Sequence, residues 1–364
     1  MFWNQNFKTP YTCTTKSYFC SMSPIYQFTN SPIPMLKIGV LGAGHLGKIH
    51  LKCLLQLQEY YDLRGFFDIN PETARQVSES PGIPAYESYD ALLEEVDVVD
   101  IVTPTTTHFG LARKAIERGR HVFIEKPVTE TPEEALALID MTKKHGIVAQ
   151  VGHVERFNPA MIAVRHIPLD PMFVEAHRLA NFNPRGTDVP VVLDLMIHDI
   201  DIVLSLVKSP VKNISASGVA VVSDTPDIAN ARIEFENGCV ANLTASRISM
   251  KQMRKVRLFQ KDAYLGLDFL EKNAQVLRMS AYEGGEIPSN AFELETPHGT
   301  KIISMEMPSA EPVNAISEEL KSLAESILEG KPPVVSLQEG YEALRVAWAV
   351  MEEIEQRIGN IRRY

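Results

Sequence analysis

The sequence predicts an α/β protein: an N-terminal, doubly wound (Rossmann) parallel-sheet domain, then an α+β domain with an open, mostly antiparallel sheet. Three observations carry this. From Met35 to about Gly152, short and nearly continuous apolar runs alternate with amphipathic stretches, as parallel strands covered on both faces by helices do. After Gly152, apolar and polar residues alternate with period two, the pattern of half-buried strands. The length of 364 residues fits two domains at roughly 100–200 residues each.

The elements follow in order. LKIGVL (36–41) reads as a buried strand, and Leu46, Ile49, Cys53 and Leu57 recur at helical spacing behind it. DLRGFFD (62–68) is the second strand, with Pro71 opening a helix at its first turn. VDVVDIV (96–102) is the third. A helix over 107–118 ends at Gly119, HVFIE (121–125) is a strand, and 131–146 is a helix capped by Thr131 and stopped by Gly146. IVAQVG (147–152) closes this half. Beyond it, a helical piece opens at Asn158-Pro159 and a longer helix covers about 191–207. Alternating segments lie near 212–223, 227–236, 239–249, 253–261 and 263–269, with a hairpin turn at Asn237-Gly238. Helices at about 314–329 and 337–357 end the chain, the last helices expected to pack back on the first domain. The boundaries expected are 1–34, 35–152 and 153–364.

Composition removes several classes of function. The net charge of −10 argues against a nucleic-acid-binding surface, which is normally basic. No apolar run reaches the ~18 residues of a membrane span, so no membrane partner is expected. Cys13, Cys20, Cys53 and Cys239 form no C-x-x-C pair and suit reduced thiols in a cytoplasm better than zinc or disulfides. Residues 1–34 are rich in Ser, Thr, Asn, Pro and aromatics, show no periodicity and lack the basic start and apolar core of a secretory signal. They are expected to stand outside the fold, as a disordered arm or the product of an upstream start, with an oligomer-contacting arm as the functional alternative.

The chemistry-bearing motifs sit where strands end. Gly42-Ala43-Gly44-His45-Leu46-Gly47 is a G-x-G-x-x-G between a strand and a helix. Gly42 serves a tight turn, Gly44 the close approach of a pyrophosphate and Gly47 helix–strand packing, while the helix N-terminus offers N–H groups to phosphate. Asp68 ends the second strand, 21 residues after Gly47, where a carboxylate grips ribose hydroxyls. This implies a bound dinucleotide, NAD rather than NADP, because a carboxylate repels a 2′-phosphate. The loop Thr103-Pro104-Thr105-Thr106-Thr107-His108 follows the third strand and faces the same crevice, and Thr106 or Thr107 also suits a helix cap. Glu125-Lys126-Pro127 ends the strand HVFIE at that edge. Oxidising an alcohol means moving a hydride from carbon and a proton from oxygen. A lysine whose pKa is lowered by burial takes such a proton, although a Lys126–Glu125 ion pair is the plain alternative.

GAGHLG, the TPTTTH loop and EKP together resemble the glucose–fructose oxidoreductase/inositol dehydrogenase (Gfo/Idh/MocA) family, over about residues 35–357. The resemblance implies that Lys126 is the acid/base residue, that its bond to Pro127 is often cis, and that Glu125 and the glycine and threonine loops line the cofactor. The helix VPVVLDLMIHDIDIVLSLV matches the family's D-x-x-x-H-D with Asp194, His198 and Asp201. The resemblance places Asp194 and His198 at the substrate hydroxyl. The same residue types could hold a metal or form a buried structural pair, but family members generally need no metal, and none is expected.

GHVERFNP (152–159) resembles the branch that oxidises C3 of UDP-N-acetylglucosamine or its uronic acid. This stretch lies between cofactor and substrate, which makes His153, Arg156 and Asn158 candidate substrate contacts. Arg156, Arg178 and Arg185 could clasp a pyrophosphate bidentately. Arg156 equally suits a structural ion pair, and Asn158 a helix N-cap before Pro159. The expected reaction is hydride transfer from a nucleotide-sugar hydroxyl. The rivals are oxidation of a free polyol or inositol, a biliverdin-reductase-like enzyme, and a non-catalytic dinucleotide-sensing regulator. An exposed antiparallel sheet suggests a homodimer or homotetramer by fold analogy.

Overall fold

The computed structural model describes residues 35–79, 82–183 and 189–361. The expectations for residues 1–34 and for Arg185 lie outside these. The first sheet is β1 (Leu36–Leu41), β2 (Tyr61–Phe67), β3 (Val98–Ile101), β4 (His121–Glu125) and β5 (Ala149–Gly152). Its order is β2-β1-β3-β4-β5 and every pairing is parallel. Helices α1 (His45–Leu54), α2 (Pro71–Glu79), α3 (Tyr89–Glu95), α4 (His108–Glu117) and α5 (Pro132–His145) connect the strands. Chain order reverses at β1, between β2 on one side and β3 on the other, which opens a crevice at the strands' carboxyl ends.

Helix ends follow local chemistry. Thr131 and Glu134 form a reciprocal capping box on α5, and Gly146 terminates it at φ 65°, a left-handed conformation glycine adopts without a Cβ penalty. Asn158 caps α6 (Pro159–Val164) by accepting the Ala160 N–H at 3.1 Å.

The second sheet has nine strands in the order β13-β14-β12-β11-β10-β6-β9-β8-β7. They are β6 (Phe173–Leu179), β7 (Val211–Val219), β8 (Ile228–Phe235), β9 (Val240–Ser246), β10 (Met253–Phe259), β11 (Ala263–Asp268), β12 (Asn273–Ala281), β13 (Ala291–Thr296) and β14 (Gly299–Glu306). All neighbours are antiparallel except β6 and β9. One face carries the core: Val174, Ala176, Ile233, Leu243, Val256 and Leu258 meet Ile197, Ile200 and Val203 of α7 (Ile197–Leu206). The helix expected over 191–207 is α-helical only from Ile197; Val192–Met196 is a wider π-helical turn.

Two helices close the described chain. Leu320, Leu323 and Ala324 of α8 (Ala315–Glu329) join the cluster of β1 and α1 residues. Helix α9 (Leu337–Ile361) gives Leu337 and Leu344 to the first sheet's other cluster, and Ala343, Val346, Ala347 and Val350 to the core of the second sheet. No helix among the described residues is long and apolar enough to cross a membrane.

Candidate active site

The glycine loop is built for close approach. Gly42 takes φ 88°, and a Cβ there would meet the Val102 carbonyl at 2.8 Å. A Cβ on Gly47 would lie 1.9 Å from the Gly42 carbonyl, whereas one on Gly44 would meet nothing within 4 Å. The outer side of the loop is therefore open at Gly44, and the N-terminus of α1 has no side-chain cap. Uncapped N–H groups beside open space suit a phosphate, so these residues fit a dinucleotide. His45 is exposed on the loop and Leu46 is half-buried. The Asp68 carboxylate accepts the Ala43 N–H at 2.7 Å and the Asn70 N–H at 2.8 Å, which ties the ends of β1 and β2 together.

The strands align the loops. Leu41 pairs with Ile101, and Ile101 with Ile124, so the Gly42 turn, Thr103 and Lys126 leave the sheet at one level. With strands roughly 4.8 Å apart, β4 stands about 10 Å from β1. Asp68 lies on the opposite flank, after β2. Thr103, Pro104 and Thr105 are accessible along this edge. Thr107 caps nothing: its hydroxyl donates to the Pro104 carbonyl at 2.7 Å. His108, expected against the cofactor, is instead buried. Its ring nitrogens lie 2.9 Å from the Pro127 and Thr103 carbonyls, so it binds the two loops to each other. Glu125 is likewise turned away from the crevice, into the interior.

Lys126, followed by a cis bond to Pro127, extends across to the π-helical turn. Its ammonium donates to the Asp194 carbonyl at 2.8 Å and stands 3.8 Å from Asp194 Oδ1. Its side chain is 18 % exposed and that of Asp194 43 %. Burial lowers the Lys126 pKa; Asp194 and Glu125 oppose the shift but do not cancel it. His198 is pushed well below the usual histidine value by burial and by nearby Lys126 and Arg178, so it is neutral at neutral pH. His153 is buried, and burial lowers its pKa too. Neither of its ring nitrogens, nor His198 Nδ1, has a hydrogen-bond partner among the described residues. Buried polar atoms in native proteins are nearly always satisfied, so these three call for a polar partner, water or ligand.

The structure gives two candidate substrate contacts, Arg156 and Asn158, and a second arginine, Arg178, partners within the protein. Arg156 forms a bidentate pair with Asp201, at 2.7 and 2.8 Å, and reaches Glu339 at 3.4 Å. Asn158 is spent as the cap of α6, and its amide donates to Glu155 and the Phe269 carbonyl. Arg178, on the buried face of β6, is held by Asp199 and Glu155 at 2.8 Å each. Each is thus committed to partners within the protein, and both arginines already face carboxylates. Asp201, engaged by Arg156, sits 3.9 Å from His153.

Sequence reasoning missed Arg254. It lies two residues before Val256 and four before Leu258, on the inward face of β10, yet is half-exposed. Its guanidinium makes no hydrogen bond among the described residues. Its nearest carboxylate, Glu155, is 3.8 Å away and already bonded to Arg178. A charge on the apolar phase of an alternating strand was the available signal.

Comparison with known proteins agrees with this geometry. Residues 36–153 match the oxidoreductase family with an NAD-binding Rossmann fold, and residues 172–262 match the GFO/IDH/MocA C-terminal domain. The chain is 42 % identical over 254 residues to UDP-N-acetylglucosamine 3-dehydrogenase of Acidithiobacillus ferrooxidans, covering 70 % of this chain and 79 % of that protein. The solved structure of that enzyme aligns with a TM-score of 0.80 and 36 % identity, over 89 % of this chain and 98 % of the other. The scyllo-inositol 2-dehydrogenase (NAD(+)) of Bacillus subtilis is 31 % identical over 234 residues, which is 59 % of this chain and 68 % of that one. Matched domains in both halves, with a glycine loop and a lysine aligned along one sheet edge, mean that the chain belongs to the Gfo/Idh/MocA family of oxidoreductases, which work with a nicotinamide cofactor.

Proposed function

We propose that the protein oxidises a hydroxyl of a UDP-N-acetylhexosamine-type nucleotide sugar, at C3, with NAD as the hydride acceptor. The observation that carries this is the placement of Lys126 at the carboxyl edge of β4, level with the glycine loop and bonded to the Asp194 turn. When bound, the nicotinamide supplies the acceptor for the hydride. Lys126, with its lowered pKa, takes the hydroxyl proton. His198 is neutral and offers a ring nitrogen to the same hydroxyl, while Asp194 holds the ammonium that results.

The similarity to the Acidithiobacillus enzyme supports the substrate class. Arg254 supplies a cation with free donors for the diphosphate. NAD is favoured over NADP because Asp68 directly follows β2 and its neighbours Ile69 and Asn70 carry no positive charge. The test is NADH formation with UDP-N-acetylglucosamine set against free inositols and sugars. Turnover of free sugars only would overturn the substrate class. Lys126→Met is expected to lower kcat at least about 100-fold, as loss of an acid/base group does, while fluorescence titration still detects NADH binding.

A further inference from the structure

Behind Lys126 lies a second set of ionisable side chains that hydride transfer does not use. His50 of α1, Asp100 of β3, Glu125 of β4 and Glu319 of α8 are all buried. His50 Nδ1 is 2.9 Å from Asp100 Oδ2, and its Nε2 is 3.3 Å from Glu125 Oε1. The other oxygen of Glu125 accepts the Lys126 backbone N–H at 3.0 Å. Glu319 comes in from the helix side. One oxygen of Glu319, one of Glu125 and a ring nitrogen of His50 lie within 4.8 Å of one another. Neither Glu319 oxygen has a hydrogen-bond partner among the described residues. Cys53 is its other titratable neighbour, and Gln150 donates to the Glu319 backbone carbonyl, not to the side chain. Room for the Glu125 carboxyl comes from Gly152, where a Cβ would sit 2.9 Å from Glu125 Cδ.

Charge decides how this group is protonated. Three carboxyls, Asp100, Glu125 and Glu319, crowd a single His50 imidazolium, which lies 2.9 Å from Asp100 and 3.3 Å from Glu125. A third buried negative charge would have no counter-charge, which costs several kcal/mol. Carboxyls this close share a proton instead. Of the three, only Glu319 lacks a donor, so the proton resides there.

We propose that Glu319 is a positioning residue for Lys126: it keeps its proton, donates it to the Glu125 carboxylate, and so lets helix α8 fix the carboxylate that holds the lysine's backbone. The electrostatics agree. Burial and the adjacent Glu125 push Glu319 well above the usual carboxyl range. His50 is raised because Asp100 and Glu125 outweigh its burial.

The inference rests on Lys126 as proton acceptor, and its test separates the two. Glu319→Gln keeps the shape and the donor without charge, whereas Glu319→Leu keeps only the bulk. E319Q is expected to stay within about twofold of wild-type kcat across the pH range. E319L is expected to lose about tenfold in kcat, the worth of one hydrogen bond to a charged group. In E319L, KM and NADH affinity are retained and the rise of kcat moves to higher pH, because Glu125 then holds the ammonium more firmly. Equal damage in both variants would mean a charged Glu319, for instance a metal ligand, and equal silence would mean mere filling of space; either overturns the proposal. Infrared difference spectra of wild type against E319Q at neutral pH need neither substrate nor a folded leucine variant. A protonated-carboxyl band that vanishes in E319Q is expected, and its absence from the wild type overturns the proposal even if Lys126 proves catalytic.

Discussion

At the residue scale, chemistry at strand ends was legible because motif and position coincide in the sequence. Gly42, Gly44 and Gly47 follow a strand, and Lys126 ends one, so their placement needs only local pattern. The arginines were not legible in this way. Arg156 finds Asp201 45 positions on, and Arg178 finds Asp199 and Glu155 across two other elements; one sequence does not disclose such pairings. A buried arginine with two carboxylates is a fixture, and its removal leaves charges stranded at a cost of about 3–5 kcal/mol. Arg254 has the opposite profile, half-exposed with unspent donors. Arg254→Gln is therefore expected to raise KM for the nucleotide sugar about tenfold, with kcat and thermal stability little changed. Steady-state kinetics checks this, and an unchanged KM would remove Arg254 from the substrate.

At the element scale, periodicity was a good guide wherever one face is buried and the other wet. Strands β7 to β11 stand close to their expected positions. Strands β6, β12, β13 and β14 escaped notice for physical reasons. In β6 the inward phase is Val174, Ala176 and then Arg178, so a charge breaks the apolar run. Strand β13 alternates only over the short Phe292-Glu293-Leu294-Glu295 and buries neither face, with Phe292 and Leu294 exposed like their charged neighbours. The π-helical turn at Val192–Met196 was also invisible, since a helix one residue wider keeps nearly the same apolar stripe. Such turns often mark functional sites, and this one carries the carbonyl that receives Lys126. Helix termini, by contrast, could be read letter by letter. Thr131→Ala is expected to destabilise the protein by about 1 kcal/mol by denaturant titration, without altering NADH affinity, because it removes only the α5 cap.

At the scale of the whole molecule, the expected division near Gly152 is crossed by the closing helices. Helix α8 brings Glu319 into the first half, and this has a pH signature. The native protein holds the Glu319 proton to higher pH than the unfolded chain, whose glutamates titrate near 4.5. As pH rises from there towards the native value, unfolding releases a proton and stability falls. E319Q has no such proton to lose. Its stability should match the wild type at about pH 4 and exceed it increasingly towards pH 8, as denaturant midpoints would reveal. A constant difference across that range would show that Glu319 does not titrate between the two states.

The same helix bears on how the polypeptide comes into being. Leu320, Leu323 and Ala324 complete an apolar cluster whose other members end at Phe123. A ribosome delivers those early residues long before their partners, so the nascent nucleotide-binding half waits with one flank bare until synthesis is almost finished. Chaperone capture is the expected fate of that intermediate. For the same reason, a fragment stopped at Gly152 should be sticky rather than a free-standing module.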